Sequence, residues 1–223
     1  MKNKIIINIT VLLFSLYNYC NAQSINWAGL KQEHRHLVNL QLGVDYGVIY
    51  GFGYGYRVKS KLPVVLNAEF SVPSGNKLLD DFKTKIGAHV KVFEIKKMAV
   101  SLNVNGIFRR YENTLVSLSN FGGNANVVIG YYSPKWYLNG EFGFDKAIVT
   151  HFQHSDIYKN NFPEVKDGWY ETTGGNVQLG MQVGYSFNIS DIYLKGGKTI
   201  AQDFKTSPTI PIYIQLGYNF KFM

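Results

Sequence analysis

The sequence predicts an all-β chain, a closed antiparallel transmembrane β-barrel of about ten strands. Three observations carry that prediction. Apolar residues alternate with small or polar ones at period two over long stretches, aromatics gather at one end of many of these runs, and short turns alternate with longer loops. Composition agrees: of 223 residues, 46% are hydrophobic and 15% aromatic, with 16 Tyr, 15 Phe and 22 Gly. That apolar content excludes a disordered chain. A bundle of membrane helices is excluded too, because the one long apolar run, residues 5–16, is well short of the roughly 20 residues a spanning helix needs.

Residues 1–22 read as a secretory signal, with Lys2 and Lys4 at its start, the apolar run next, and Cys20-Asn21-Ala22 as a cleavage site before Gln23. Its removal takes two lysines, no acid and the only cysteine, so the net charge falls from +8 to +6 and disulfides are excluded from the mature chain. Tyr17-Asn18-Tyr19 lacks the small residues of a lipidation signal around Cys20. Basic residues are no denser than Lys59-Ser60-Lys61 or Lys96-Lys97, which together with export argues against nucleic acid as a partner. Residues 23–35 read as an N-terminal periplasmic segment in which His34 and His36 are solvated, and the barrel occupies 36–223.

The first alternating run covers 38–58, with Val38, Leu40, Leu42, Val44, Tyr46, Val48, Tyr50, Phe52, Tyr54, Tyr56 and Val58 on one face. At 21 residues it is too long for one crossing of about 9 to 11. A three-residue loop at Asp45-Tyr46-Gly47 divides it and keeps the even positions on one face in both halves. The glycines Gly51, Gly53 and Gly55 then fall on the inward face of a strand rather than in a phosphate-binding loop, since no helix follows them. Strands are expected at 36–44, 48–58, 62–72, 82–93, 98–110, 123–132, 136–150, 175–187, 191–199 and 209–222. Eight or twelve strands are the alternatives if 38–58 is a single strand. On 175–187, Leu179 and Met181 should face outward, and Gln178 and Gln182 inward. The short turns at 59–61, 94–97, 133–135 and 188–191 lie beside Tyr54, Tyr56, Tyr131, Trp136, Tyr185 and Phe187, with Phe220 and Phe222 at the terminus. This grouping is the reason to prefer a membrane barrel, with an interfacial girdle, over a soluble sandwich.

The segment 215–222, Gln-Leu-Gly-Tyr-Asn-Phe-Lys-Phe, resembles the C-terminal signal read by the outer-membrane assembly machinery: Gln215, Gly217, Phe220 and Phe222 fill its polar, glycine, apolar and aromatic places, although Met223 follows the usual last aromatic. On that match and the export signal, the chain resembles the small outer-membrane β-barrel proteins of Gram-negative bacteria, in the porin-like and OmpA-like group. Its Asn-, Lys- and Ile-rich signal is similar to those of Bacteroidetes. The resemblance implies outer-membrane lipid and the assembly machinery as partners, with no cofactor.

Inward positions carry Arg57, Glu69, Lys85, His89, Lys91, Arg109, Glu141, Asp145, Lys195 and Lys221. In a narrow barrel these are expected to pair as a polar plug; the alternative is a small, basic-leaning passage. The longest loop brings His151, His154, Ser155 and Asp156 close together. They are the residues a rival reading as a barrel hydrolase of lipid A would use, but the group lacks the spacing of a metal site, and no metal or catalytic residue is expected. The leading expectation is a non-enzymatic barrel with a structural, narrow porin-like or surface-binding role. A soluble lipocalin-type barrel would instead turn its apolar residues inward.

Overall fold

The structure, a computed structural model, describes residues 25–75 and 79–223; the signal at 1–22 lies outside them. Ten antiparallel strands close into one barrel. They are β1 His36–Val44, β2 Val48–Val58, β3 Val64–Pro73, β4 Asp81–Ile95, β5 Met98–Glu112, β6 Val116–Tyr132, β7 Trp136–His154, β8 Gly168–Phe187, β9 Ser190–Ala201 and β10 Ile212–Phe222, with a short helix α1, Asp156–Asn161, between β7 and β8. Each strand pairs with its neighbours in sequence, and β1 closes the barrel against β10 from His36↔Phe222 to Val44↔Ile214. The loop at 45–47 divides the first run as expected, with Val44 opposite Val48. Both barrel ends lie at one rim, here the terminal rim, with the connections 59–63, 96–97, 133–135 and 188–189; the other, the loop rim, carries 45–47, 74–80, 113–115, 155–167 and 202–211.

The strands facing the loop rim are longer than the sequence suggests. β6 begins at Val116 rather than 123, β7 runs to His154 rather than 150, and β8 begins at Gly168 rather than 175. On β7 the cause is Ile148, an extra residue that the ladders on both sides skip between Ala147 and Val149. It shifts the parity of β7, with Glu141 inward before it and Thr150 inward after it, so the two-residue period breaks there although the pairing continues. Phe70, Phe82, Phe108, Phe121 and Trp169 make a chain of ring contacts 4.8–6.2 Å apart around the outside at this level. At the terminal rim Tyr54, Tyr56, Trp136, Tyr185, Phe187, Phe220 and Phe222 are exposed on the outside. Between the two aromatic levels the outward side chains are apolar, among them Leu42, Ile86, Val104, Phe142, Leu194, Ile214 and Leu216.

The faces follow parity. Met181 is 50% exposed and Gln182 only 2%. Three inward tyrosines seat on glycines of the next strand: a Cβ on Gly184 would lie 2.2 Å from the Tyr137 ring, one on Gly217 2.0 Å from Tyr193, and one on Gly197 1.9 Å from Tyr213. Each glycine is the ladder partner of the tyrosine that covers it. Only a residue without a side chain leaves room there for a ring lying flat on the sheet.

Candidate functional site

The functional side chains lie inside the barrel, at three levels. At the terminal rim, residues 25–35 do not hang free beneath the barrel but fold across its mouth. Ile25, Trp27 and Leu30 pack in one buried cluster with Leu37, Val65, Ala99, Tyr132, Tyr137 and Tyr193. Asn26 Nδ2 donates to Ser133 O at 3.0 Å and to Ser186 Oγ at 2.7 Å, pinning the segment to the far wall. Arg57, predicted to line the lumen, instead grips this plug by donating to Leu30 O at 2.9 Å and Lys31 O at 2.6 Å. Lys221 Nζ pairs with Asp191 at 2.7 Å and reaches Gly29 O. His34, expected to be solvated, is buried here; burial, with Lys221 close by, holds its imidazole below the ordinary value. His36 lies on the outer face, with Nδ1 2.6 Å from Tyr54 Oη and its ring stacked on Phe222.

The middle level is filled. Asn67 donates to Asn105, which donates to Asn103 and Asn124, all at 2.9–3.0 Å. On the opposite side Asn39 donates to Tyr193 Oη and to Asn219 Oδ1. Two of the expected charge pairs form here, Lys85 with Glu69 at 3.7 Å and Lys195 with Glu141 at 3.9 Å. Buried charges in so narrow an interior survive only when paired or hydrogen-bonded. Lys91, like Arg57, lies near the terminal rim; it sits beside a ladder irregularity and pairs with Glu94.

At the loop rim the interior opens into a vestibule of about 890 Å³. One wall carries Lys83 against Asp45 at 2.5 Å and Arg109 against Asp81 through two hydrogen bonds of 2.9 and 3.2 Å. The Tyr46 ring lies under both cations, 4.3 Å from Lys83 Nζ and 4.5 Å from the Arg109 guanidinium carbon, and its hydroxyl donates to Ser71 O at 2.8 Å. Burial alone would raise the Asp45 carboxyl, but Lys83 beside it holds it below the usual carboxylate range. Burial also pushes the Tyr46 hydroxyl upward. On the facing wall Asp145 accepts from Asn176 Nδ2 at 3.0 Å and Gln178 Nε2 at 2.8 Å. Of this site the sequence singled out Lys85, Arg109 and Asp145. It missed Asp45, Tyr46, Asp81 and Lys83, although Asp81 and Lys83 share the inward parity of Lys85 and His89.

Above the vestibule the β6–β7–β8 extension carries the histidines, and they do not converge. His151 packs against Trp169 on the outside. His154 Nδ1 lies 2.9 Å from Asp167 Oδ1, and Lys159 donates to the other oxygen at 2.6 Å. These partners hold the Asp167 carboxyl well below its usual range, the Lys159 hydrogen bond contributing most. The Ser155 hydroxyl accepts from Tyr158 N–H and caps α1. Among the described residues no group of three His, Cys, Asp or Glu side chains is placed to hold a metal.

No protein-family model matches this chain, and no curated protein does either. Among solved structures, a chain from work described as "Unveiling the Mechanism Behind the in-meso Crystallization of Membrane Proteins" aligns with a TM-score of 0.40 and 10% identity, over 85% of this chain and 84% of that one.

Proposed function

We propose that the chain is an exported outer-membrane β-barrel whose interior is closed, and that it serves as a structural or surface-binding protein through its loop rim rather than as an open passage. One observation carries this reading: an apolar outer band, bounded by aromatic levels, around a packed polar interior. Phe108 and Met98 sit on β5 opposite Phe121 and Tyr131, ten residues apart. At about 3.3 Å per residue and a tilt of about 40°, the band is about 25 Å tall, the height of a bilayer's hydrocarbon layer in such barrels. Water would not tolerate apolar surface on this scale, and a closed sheet is one of the two ways a chain satisfies its backbone in lipid. The Asn-rich middle level and the plug of residues 25–35 support closure. By this reading the terminal rim faces the periplasm and the loop rim faces outward.

Cell fractionation followed by planar-bilayer recording of the mature protein tests both parts. The protein should pellet with the outer membrane and resist carbonate extraction, and it should give no steady conductance steps. Recovery in soluble periplasm rejects the location; a stable conductance rejects closure.

A further inference from the structure

We propose that the terminal rim docks the anionic phospholipid headgroups of the leaflet around it, through an arc of lysines on its turns. The four connections there, 59–63, 96–97, 133–135 and 188–189, carry Lys59, Lys61, Lys96, Lys97 and Lys135 and no acid, whereas the five connections of the loop rim carry four lysines and six acids. A rim charged only for solubility would mix the signs, as the loop rim does. All five lysines are exposed, and none forms an ion pair among the described residues; the adjoining acid, Glu94, is held by Lys91. They lie on the three successive hairpins that join β2 to β3, β4 to β5 and β6 to β7. The charge therefore covers one arc of the rim and leaves the turn between β8 and β9 neutral.

At Lys96 the charge is kept against the preference of the turn. The two-residue loops at 96–97 and 188–189 each place their first residue in the left-handed region, with φ of 57° at Lys96 and 54° at Asn188. Asparagine is a usual occupant of that conformation and lysine is not. Lipid is the anion within reach because the lysines stand beside the outward aromatics. Lys97 Nζ lies 5.7 Å over the Tyr131 ring, and that ring stacks on Trp136, the chain neighbour of Lys135. Leu62, Phe93 and Ile95 are exposed next to Lys61 and Lys96. Aromatic rings at a bilayer boundary sit at the headgroup level. Ammonium groups just beyond them stand within a Debye length, about 8 Å, of the lipid phosphates, where each cation attracts an anionic surface. A soluble acidic polymer would have no use for the aromatic level beneath the charge. Such docking requires the outer band to lie in lipid and so rests on that reading.

The test uses the mature protein reconstituted in phosphatidylcholine vesicles with a trace of spin-labelled phosphatidylglycerol or spin-labelled phosphatidylcholine. Electron spin resonance resolves the lipid immobilised at the barrel wall. Phosphatidylglycerol should be enriched there at least about twofold, because one lysine contact favours an anionic lipid about fivefold and the arc borders only part of one leaflet. Replacing all five lysines by glutamine should remove the preference, whereas Lys166→Gln with Lys205→Gln at the loop rim should leave it. Lys96→Asn alone should lower the preference while raising the urea midpoint, a pairing that a purely structural lysine would not give. In the unaltered protein, salt at about 1 M should erase the preference, a readout that stands even if the glutamine variant does not fold. Equal immobilisation of the two lipids, or a preference that survives both the glutamines and the salt, overturns the proposal. So does capture of soluble polyglutamate by the reconstituted protein without any preference for phosphatidylglycerol. Absence of immobilised lipid of either kind refutes the lipid-facing band as well, whereas equal immobilisation refutes the lysine arc alone.

Discussion

Replacing Met181 by arginine places a charge where the outer band is deepest. Met181 lies four residues from Tyr185, an aromatic of the terminal rim, which at about 3.3 Å per residue and a tilt of about 40° puts it about 10 Å inside a band about 25 Å tall. That is close to the midplane, where an arginine costs about 2–4 kcal/mol in a membrane barrel. Its ladder partners are Gly140 and Gly196, so no neighbouring side chain shields the new charge. The matching inward substitution must be chosen with care. Gln182 is 2% exposed and pairs with Lys195, so Gln182→Arg would crowd a filled layer and add a like charge. Gln178→Arg, at the vestibule beside Asp145, should be accommodated. Urea titration into lipid vesicles should show the loss for Met181→Arg and little for Gln178→Arg. In parallel, a cysteine at 181 should react with a lipid-soluble maleimide and be shielded from a water-soluble one in intact membranes. Free reaction with the aqueous reagent, or an unchanged stability for Met181→Arg, would refute the assignment of this face to lipid.

Trp27→Ala should weaken docking of residues 25–35 by about 3–5 kcal/mol, the usual loss for a buried tryptophan, seen as faster amide exchange there with the barrel strands unchanged. Gly184→Ala should cost about 1–3 kcal/mol by driving a methyl into the fully buried Tyr137 ring, whereas Gly174→Ala, with nothing within 4 Å of its Cβ, should be nearly silent in the same urea titration. Docking of the plug should weaken in acid. The docked state holds His34 below its ordinary pKa of 6.5 and so refuses a proton that the undocked state accepts; stability is full above about pH 6.5 and falls as pH drops from there toward the lowered value. Stronger protection of residues 25–35 at pH 5.5 than at pH 7.5 would contradict this.

Where one face is apolar and the other polar, the sequence was readable residue by residue: β1 and β2 match their expected bounds, the 45–47 loop is in place, and Met181 and Gln182 face as expected. Legibility failed where that contrast is lost. The extensions at 116–122 and 168–174 lie near or beyond the aromatic level, and the extra residue Ile148 interrupts the period of β7. The plug was missed for another reason. Ile25, Trp27 and Leu30 carry no period of their own, and they meet residues such as Tyr132 and Tyr193 more than a hundred positions away. Within the vestibule, parity could have identified Asp81 and Lys83. Asp45 and Tyr46 depend on a turn folding back over the cavity, which no pattern announces.

The way the plug is fastened also determines how the molecule responds to force. Residues 25–34 are held by the buried side chains of Ile25, Trp27 and Leu30 and by the anchors Asn26, Arg57 and Lys221, whereas Arg35 is bonded through its backbone to Phe222 and Arg57, and β1, which follows directly, is laced to β2 on one side and β10 on the other along its whole length. Tension applied at the N-terminus therefore reaches the weak fastening first. Residues 25–34 should release as a separate early event, lengthening the chain by at most about 36 Å at up to about 3.6 Å per residue, before any load falls on the closing seam. The barrel thus carries a docked tether that should draw out from its terminal rim while its wall stays shut.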